Sequence, residues 1–418
     1  MDVVITTNSP GEVAAWVRPF VRSLLDLEPL ARVSVFIPPC DFASGSEKSV
    51  VEEIPGVDVV ASPREYLLYI LLGLRPTGFS PGPRGAVVFL GGDLLHAVLL
   101  KRRLRYPALA YTEGRAGWAG SFARFFVPHE AARQKALAKG GAPEKLEVIG
   151  DLMLDAVLPE LPEASLRASL GFAGGRPLVA LFPGSRPREF RHVLPFFLRA
   201  AEIIATDIQG VQFALSISPF VSDEHLLEAS NGSAGVLEGC AYRVEQRSGP
   251  HGLSNLEVVT DKGTRVPVFR NLQYDIMKAA DLALVIPGST TAEMAFLGLP
   301  MVVAAPVNKP ELVPLEGLVG LVGRVPLLGR RVKAQALKRY VSLNRFCAHP
   351  NIRAGREMVP EVRGVLIPED VAVAAVPLWR DGNRRRKLAS ELKAVMGEAG
   401  AGRMLAQATV RLARGEAL

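Results

Sequence analysis

Leu178-Val179-Ala180-Leu181-Phe182-Pro183-Gly184-Ser185-Arg186 runs from an apolar strand into a glycine turn, and a helical pattern follows. The arrangement returns at Leu282-Ala283-Leu284-Val285-Ile286-Pro287-Gly288-Ser289-Thr290-Thr291-Ala292-Glu293. A short apolar run bounded by turn residues reads as a buried strand of a parallel sheet. Where such a strand ends in a Gly turn and opens a helix, bare backbone N–H groups face the strand's carboxyl end. That is where open α/β sheets bind anions. Two such turns fit two sides of one phosphate-bearing ligand.

Working outward, strand-like runs at 3–7, 33–38, 57–61, 86–90, 108–111, 125–127 and 146–149 are interleaved with helical stretches, among them 13–27 and 129–139. Strands alternating with helices predict a parallel, doubly wound domain over residues 1–165. Leu158-Pro159-Glu160-Leu161-Pro162 reads as a linker. Runs at 178–182, 211–217, 282–286 and 301–304 rebuild the pattern over 166–365. A polar, Gly-rich stretch at 223–264 is expected to be a small excursion. Residues 366–418 are basic and mostly helical in pattern, and are expected to pack back on the first domain. The fold class is thus α/β, with two Rossmann-like domains.

The composition agrees. At 418 residues the chain exceeds one ordinary core, and 49% hydrophobic with 22% charged content describes a globular protein. A net charge of +7 favours an anionic partner such as a nucleotide or an anionic lipid. No aromatic-and-basic nucleic-acid module is present, so nucleic acid is not expected as a partner. Cys40, Cys240 and Cys347 are widely spaced without a metal pattern, and read as reduced cytosolic thiols. The apolar run that begins directly after Met1-Asp2 is not a signal peptide pattern, and no uncharged apolar stretch reaches about 18 residues.

Each motif carries a chemical and a structural reading. Ser185, Arg186, Gly288, Ser289, Thr290 and Thr291 suit a diphosphate, with the Arg fork matched to phosphate oxygens. Ser or Thr at such turns also caps helices. Glu293 suits a ribose diol or the helix dipole. Gly91-Gly92-Asp93 ends a strand, so Asp93 is a candidate general base or a helix N-cap. The first loop, Asn8-Ser9-Pro10-Gly11-Glu12, offers Glu12 as a base or acceptor ligand, with Asn8, Ser9 and Gly11 beside it, or as a first-turn acid. The polar run holding Asn351, Arg356 and Glu357 is a solvated loop or part of a site. Residues 317–345 alternate apolar with basic residues and hold no acid. They fit an anionic bilayer surface, or a core helix followed by a solvated one. Residues 64–74 read as a core helix, with a lipid-facing patch as the alternative.

The chain resembles lipid-A-disaccharide synthases, a glycosyltransferase family of two facing Rossmann-like domains (the GT-B fold). The resemblance rests on Gly91-Gly92-Asp93, Val148-Ile149-Gly150-Asp151 with Asp155, Phe182-Pro183-Gly184-Ser185-Arg186, the Thr-Thr-Ala-Glu run ending at Glu293, Tyr340-Val341-Ser342-Leu343, and Pro350-Asn351-Ile352 to Glu361. It implies a catalytic Asp93. It also implies donor contacts from Arg186, Asn351 and Arg356, and nucleotide contacts from Ser289, Thr290 and Glu293. The implied reaction is inverting and needs neither metal nor cofactor; UDP-sugar is the donor substrate and a lipid-linked hydroxyl the acceptor. A cytoplasmic location at the inner face of the membrane and a homodimer also follow from it. The first loop departs from the family's Ala-Gly-Glu-x-Ser-Gly-Asp and keeps only the Gly-Glu pair, which leaves the acceptor open. The rival expectations are a UDP-sugar 2-epimerase and a non-catalytic nucleotide-sugar-binding protein.

Overall fold

The computed structural model describes residues 1–8, 12–39, 47–229, 237–247, 253–306, 308 and 346–418. It divides the chain into two units, Met1–Ala156 with Glu398–Leu418, and Val157–Gly397.

The first unit is built on seven strands: β1 (Asp2–Thr6), β2 (Arg32–Phe36), β3 (Val57–Ala61), β4 (Gly85–Phe89), β5 (Ala108–Tyr111), β6 (Arg124–Val127) and β7 (Leu146–Val148). All pairs are parallel, in the order β3-β2-β1-β4-β5-β6-β7. Every residue of β1, β4 and β5 is buried, as expected of strands covered on both faces. The chain runs outward from β1 through β2 to β3, then returns to lay β4 against the other side of β1. That reversal is the switch point of the sheet.

The second unit carries β8 (Leu178–Phe182), β9 (Gln212–Ile217), β10 (Tyr242–Gln246), β11 (Leu256–Thr260), β12 (Arg265–Arg270), β13 (Leu282–Val285), β14 (Met301–Pro306) and β15 (Glu361–Gly364). Their order is β10-β11-β12-β9-β8-β13-β14-β15. The run from β12 through β9, β8, β13 and β14 to β15 is parallel. The order reverses between β8 and β13. The expected excursion at 223–264 holds the helix Asp223–Glu228 and two strands at the sheet edge; β11 pairs antiparallel with β12, and β10 antiparallel with β11.

The expected boundaries shift. The proline-rich linker belongs to the second unit, because Glu160 and Leu161 donate their N–H groups to the buried Asp275 carboxylate at 2.9 and 2.8 Å. Helices Pro368–Arg380 and Gly382–Met396 also stay there. The former packs on helix Pro187–Asp207 and the latter on helix Thr290–Leu297. Only Ala401–Arg414 returns to the first unit, burying Leu405, Ala406 and Val410 against helix Arg18–Leu27.

Asp155 fastens that helix. Its two carboxylate oxygens accept the Gly400 and Gly402 N–H groups, each at 2.5 Å. A Cβ on Gly402 would meet Ser23 Oγ at 2.8 Å, so the helix start lies directly on the first unit. Asp155→Ala is therefore expected to lower the unfolding free energy by about 2–3 kcal/mol, the scale of hydrogen bonds to a charged group. Urea titration measures this, and an unchanged midpoint and slope would contradict it.

Candidate functional site

In the second unit the paired register Leu282↔Val179 to Val285↔Phe182 brings the two Pro-Gly-Ser turns off adjacent strands. The turns touch: a Cβ on Gly184 would meet Ile286 Cδ1 at 2.6 Å, and Gly184 has a φ of +105° that favours glycine. Both turns lie at the carboxyl ends of β8 and β13, at the switch point of this sheet.

Neither helix start carries a serine cap at its N-cap position. Arg186, at the N-cap of Pro187–Asp207, and Ser289, at the N-cap of Thr290–Leu297, make no side-chain cap bond. Neither N-cap side chain takes up the free N–H groups of its helix start, which leaves them available to an anion. Ser185, Arg186 and Gly288 are exposed, and Ser289 and Thr290 are half-buried. A Cβ on Gly288 would meet nothing within 4 Å, so the second turn has open space before it. The Arg186 guanidinium lies 3.0 Å from Glu189. Burial pushes the Glu189 carboxyl up, and Arg186 opposes that shift. Glu293 is buried one turn into its helix.

Two expected ligands are corrected. Thr291 is fully buried; its hydroxyl donates to Gly288 O at 2.8 Å and accepts the His349 N–H at 3.0 Å. Asn351 is also fully buried. Its amide donates to Val359 O and Glu361 Oε1, both at 2.9 Å, and its oxygen accepts from the Met358 and Val359 N–H groups at 2.7 and 2.9 Å. Both side chains already have their hydrogen bonds within the fold, so they shape the segment behind the turns and do not reach a ligand. Glu361 completes this core by accepting from the Cys347 and Ala348 N–H groups. The polar run is thus neither a solvated loop nor a row of ligands; it folds around Asn351. Arg356 and Glu357 are exposed on it, Arg356 within 3.4 Å of Glu391.

In the first unit the same geometry assembles Asn8, Glu12 and Asp93. Strand β1 pairs with β4 through Thr6↔Phe89, so the loops that follow them meet. Glu12 accepts the Gly92 N–H at 3.2 Å, and a Cβ on Gly92 would meet Asn8 Nδ2 at 2.6 Å. Only glycine admits these side chains so close to the backbone. Asp93 is exposed and is the N-cap of helix Leu94–Leu104, accepting the Leu95 N–H at 2.8 Å. The structural reading of Asp93 therefore holds, and the exposed carboxylate is compatible with the chemical one. Burial holds the nearby His96 down, with Asp93 opposing, and Tyr66 Oη lies 2.8 Å from its Nδ1.

Sequence reasoning missed Arg115, whose Nη1 donates to Gly92 O. It also missed Glu113, whose carboxyl is pushed up by desolvation and by Asp151. Their one sequence signal is position just past β5. Ser9, Gly11 and the proposed membrane stretch 317–345 lie outside the described residues. Residues 64–74 correct the core-helix expectation. In helix Pro63–Leu72 only Tyr66 and Tyr69 are buried, and Leu67, Leu71 and Leu72 are exposed. No helix among the described residues is long and apolar enough to cross a membrane.

The assignment of Asn351 can be tested directly. Asn351→Ala leaves two buried N–H groups and a carbonyl unpaired and is expected to cost about 3 kcal/mol of stability. Chemical unfolding measures it. Unchanged stability together with weakened nucleotide binding would return Asn351 to the ligands.

No protein-family model matches the chain. Among curated proteins it is 28% identical over 171 residues to the lipid-A-disaccharide synthase of Geobacter metallireducens, covering 41% of this chain and 36% of that protein. It is 28% identical over 248 residues to that of Pseudomonas putida, covering 58% and 51%. The one of Persephonella marina is 25% identical over 261 residues, covering 62% and 56%. The matches thus span from 36% to 56% of these relatives' lengths. Among solved structures the fold is similar to Neisseria meningitidis UDP-GlcNAc 2-epimerase bound to UDP-GlcNAc, with TM-score 0.58, 13% identity, and coverage of 98% of this chain and 100% of that one. It is also similar to the Methanocaldococcus jannaschii enzyme in complex with UDP-GlcNAc and UDP, with TM-score 0.53, 14% identity, and coverage of 98% and 99%. The chain is a divergent relative of the lipid-A-disaccharide synthases, folded as two Rossmann-like α/β units.

Proposed function

We propose that the protein is an inverting glycosyltransferase that moves a sugar, of the N-acetylglucosamine type, from UDP to a hydroxyl of a lipid-linked acceptor. The observation that carries this reading is the pair of touching, uncapped Pro-Gly-Ser turns at the β8/β13 switch point. They offer backbone donors, Ser185 and Ser289, and the Arg186 guanidinium to a diphosphate. As the glycosidic bond breaks, UDP gains negative charge. Arg186 and the helix starts stabilise that charge without a metal. Glu293 and Thr290 serve the nucleoside end, and Arg356 and Glu357 lie on the exposed side of the segment that Asn351 folds.

On this reading Asp93 takes the acceptor proton, with Glu12 holding the Gly92 backbone beside it. The exposed Leu67, Leu71 and Leu72, with exposed Arg64 and Arg75 near them, suit an amphipathic acceptor or an anionic membrane face. A peripheral position at the inner face of the cell membrane and a homodimer belong to the same proposal.

The second reading, a UDP-sugar 2-epimerase, is favoured by the likeness of the whole fold to such enzymes. The likeness of the curated synthases, and the Asn351-to-Glu361 run on which the resemblance rests, favour transfer.

Two substitutions test the roles. Asn is as good an N-cap as Asp, so Asp93→Asn is expected to leave the melting temperature unchanged. Transfer should fall by about 100- to 10,000-fold if Asp93 is the base; full activity would remove it from that role. Arg186→Ala is expected to weaken UDP binding by about 1.5–3 kcal/mol, roughly tenfold or more in Kd. Calorimetric titration with UDP measures this, and an unaltered Kd would contradict the phosphate assignment.

A further inference from the structure

We propose that Glu202, Cys240 and Asp261 form a binding site for one divalent metal ion of the zinc class, on the second unit and away from the paired turns. The three residues have no sequence spacing in common. Glu202 lies in the second half of helix Pro187–Asp207, Cys240 precedes β10, and Asp261 sits in the turn between β11 and β12. One ligand atom from each lies within 4.8 Å of the other two. Glu202 is 16 residues past Arg186, or about 24 Å along the helix, so the site is separate from the candidate donor site.

The chemistry of the cluster points to a cation. The Glu202 side chain is 2% exposed. One of its oxygens pairs with Arg199 at 2.6 Å, and the other, Oε1, is buried with no partner among the described residues. A buried carboxylate oxygen without a donor is a costly group, and a metal ion would satisfy it. Arg199 holds Glu202 by the opposite oxygen, which orients Oε1 in the way outer partners orient metal ligands. Cys240 is 1% exposed and Asp261 is half-exposed, so the site has buried ligands and an entry path.

The fold holds these ligands in place. The helix contains Pro195, whose carbonyl accepts the Cys240 N–H at 3.2 Å. A Cβ on the preceding Gly239 would meet Pro195 Cβ at 2.6 Å, so the Cys240 segment lies directly on the helix at that point. Asp261 donates its N–H to Ala241 O at 3.1 Å, which ties the turn to the same segment.

Charge decides what binds. Arg199 reaches both carboxylates, Glu202 at 2.6 Å and Asp261 at 3.9 Å. Two carboxylates, one guanidinium and a neutral thiol then leave one excess negative charge. When a divalent ion binds, the S–H bond breaks, the proton leaves to solvent, and a sulfur–metal bond forms. The thiolate and the ion together bring the cluster to neutrality. One sulfur and two carboxylate oxygens suit zinc or cadmium, with water as the fourth ligand. Ligand atoms of a tetrahedral zinc lie about 3.5 Å apart, so the cluster closes by roughly 1 Å, and the exposed Asp261 can supply that movement.

Cadmium and zinc titration of the chelator-treated full chain tests the proposal. We expect one ion per chain, a thiolate-to-cadmium absorption in the ultraviolet, and a melting temperature raised by zinc. Cys240→Ser and Asp261→Asn should each weaken zinc binding by at least about tenfold, and a Cys40→Ser/Cys347→Ser double variant should bind as the parent does. Asp261→Asn changes an exposed turn residue and keeps the test open should Cys240→Ser fold poorly. No bound ion, or binding that survives Cys240→Ser and Asp261→Asn, would overturn the proposal.

Discussion

Parallel pairing at two strand-order reversals is the constraint on which the rest depends. In each sheet the chain winds outward from one strand and returns to pair on that strand's other side. The loops after β1 and β4, and those after β8 and β13, therefore leave the sheets as neighbours. Residues far apart in sequence meet there with no need of long side chains. The closeness is steric: Gly92 lies against Asn8 and Gly184 against Ile286. A larger residue at either glycine would push the loops apart before it touched any ligand.

The two reversals differ in what they leave available. In the first unit Asp93 closes its own helix, so its carboxylate works for the fold as well as for any chemistry. In the second unit neither N-cap side chain bonds its own helix start, and the Ser185 and Ser289 hydroxyls and the Arg186 guanidinium lie at or close to the surface. Helix capping is among the commonest uses of Ser and Thr. Neither N-cap residue at these turns makes such a bond, which is the feature the proposed anion role uses. Behind the turns, Thr291 links the second turn to the His349 backbone, and Asn351 with Glu361 folds the chain that follows. That interior scaffold is polar, yet each of these contacts is satisfied within the protein, as a buried polar network must be to stabilise.

Much of this was legible in the sequence. Continuous apolar strands and Gly turns gave the two α/β units, because buried parallel strands leave a pattern that needs no partner to recognise. Asp93 and the paired turns were located by their place after strands. Side-chain direction was not legible. Asn351 and Thr291 read as polar ligands, and only the fold shows both facing inward. The strands β10 and β11 escaped notice because edge strands rich in polar residues lack the apolar run of a central strand. The leucines of Pro63–Leu72 read as core for the opposite reason: apolar composition does not say which face is covered. Contacts such as that of Arg115 with Gly92 carry no local signal at all.

The central claim is that the paired turns hold a sugar nucleotide whose sugar is passed to an acceptor. Mass spectrometry of incubations with UDP-GlcNAc-type donors, with and without a lipid extract, tests it most directly. The account predicts UDP release only when lipid is present, with a lipid product heavier by one sugar. Conversion of UDP-GlcNAc to an isomer without any acceptor would contradict it.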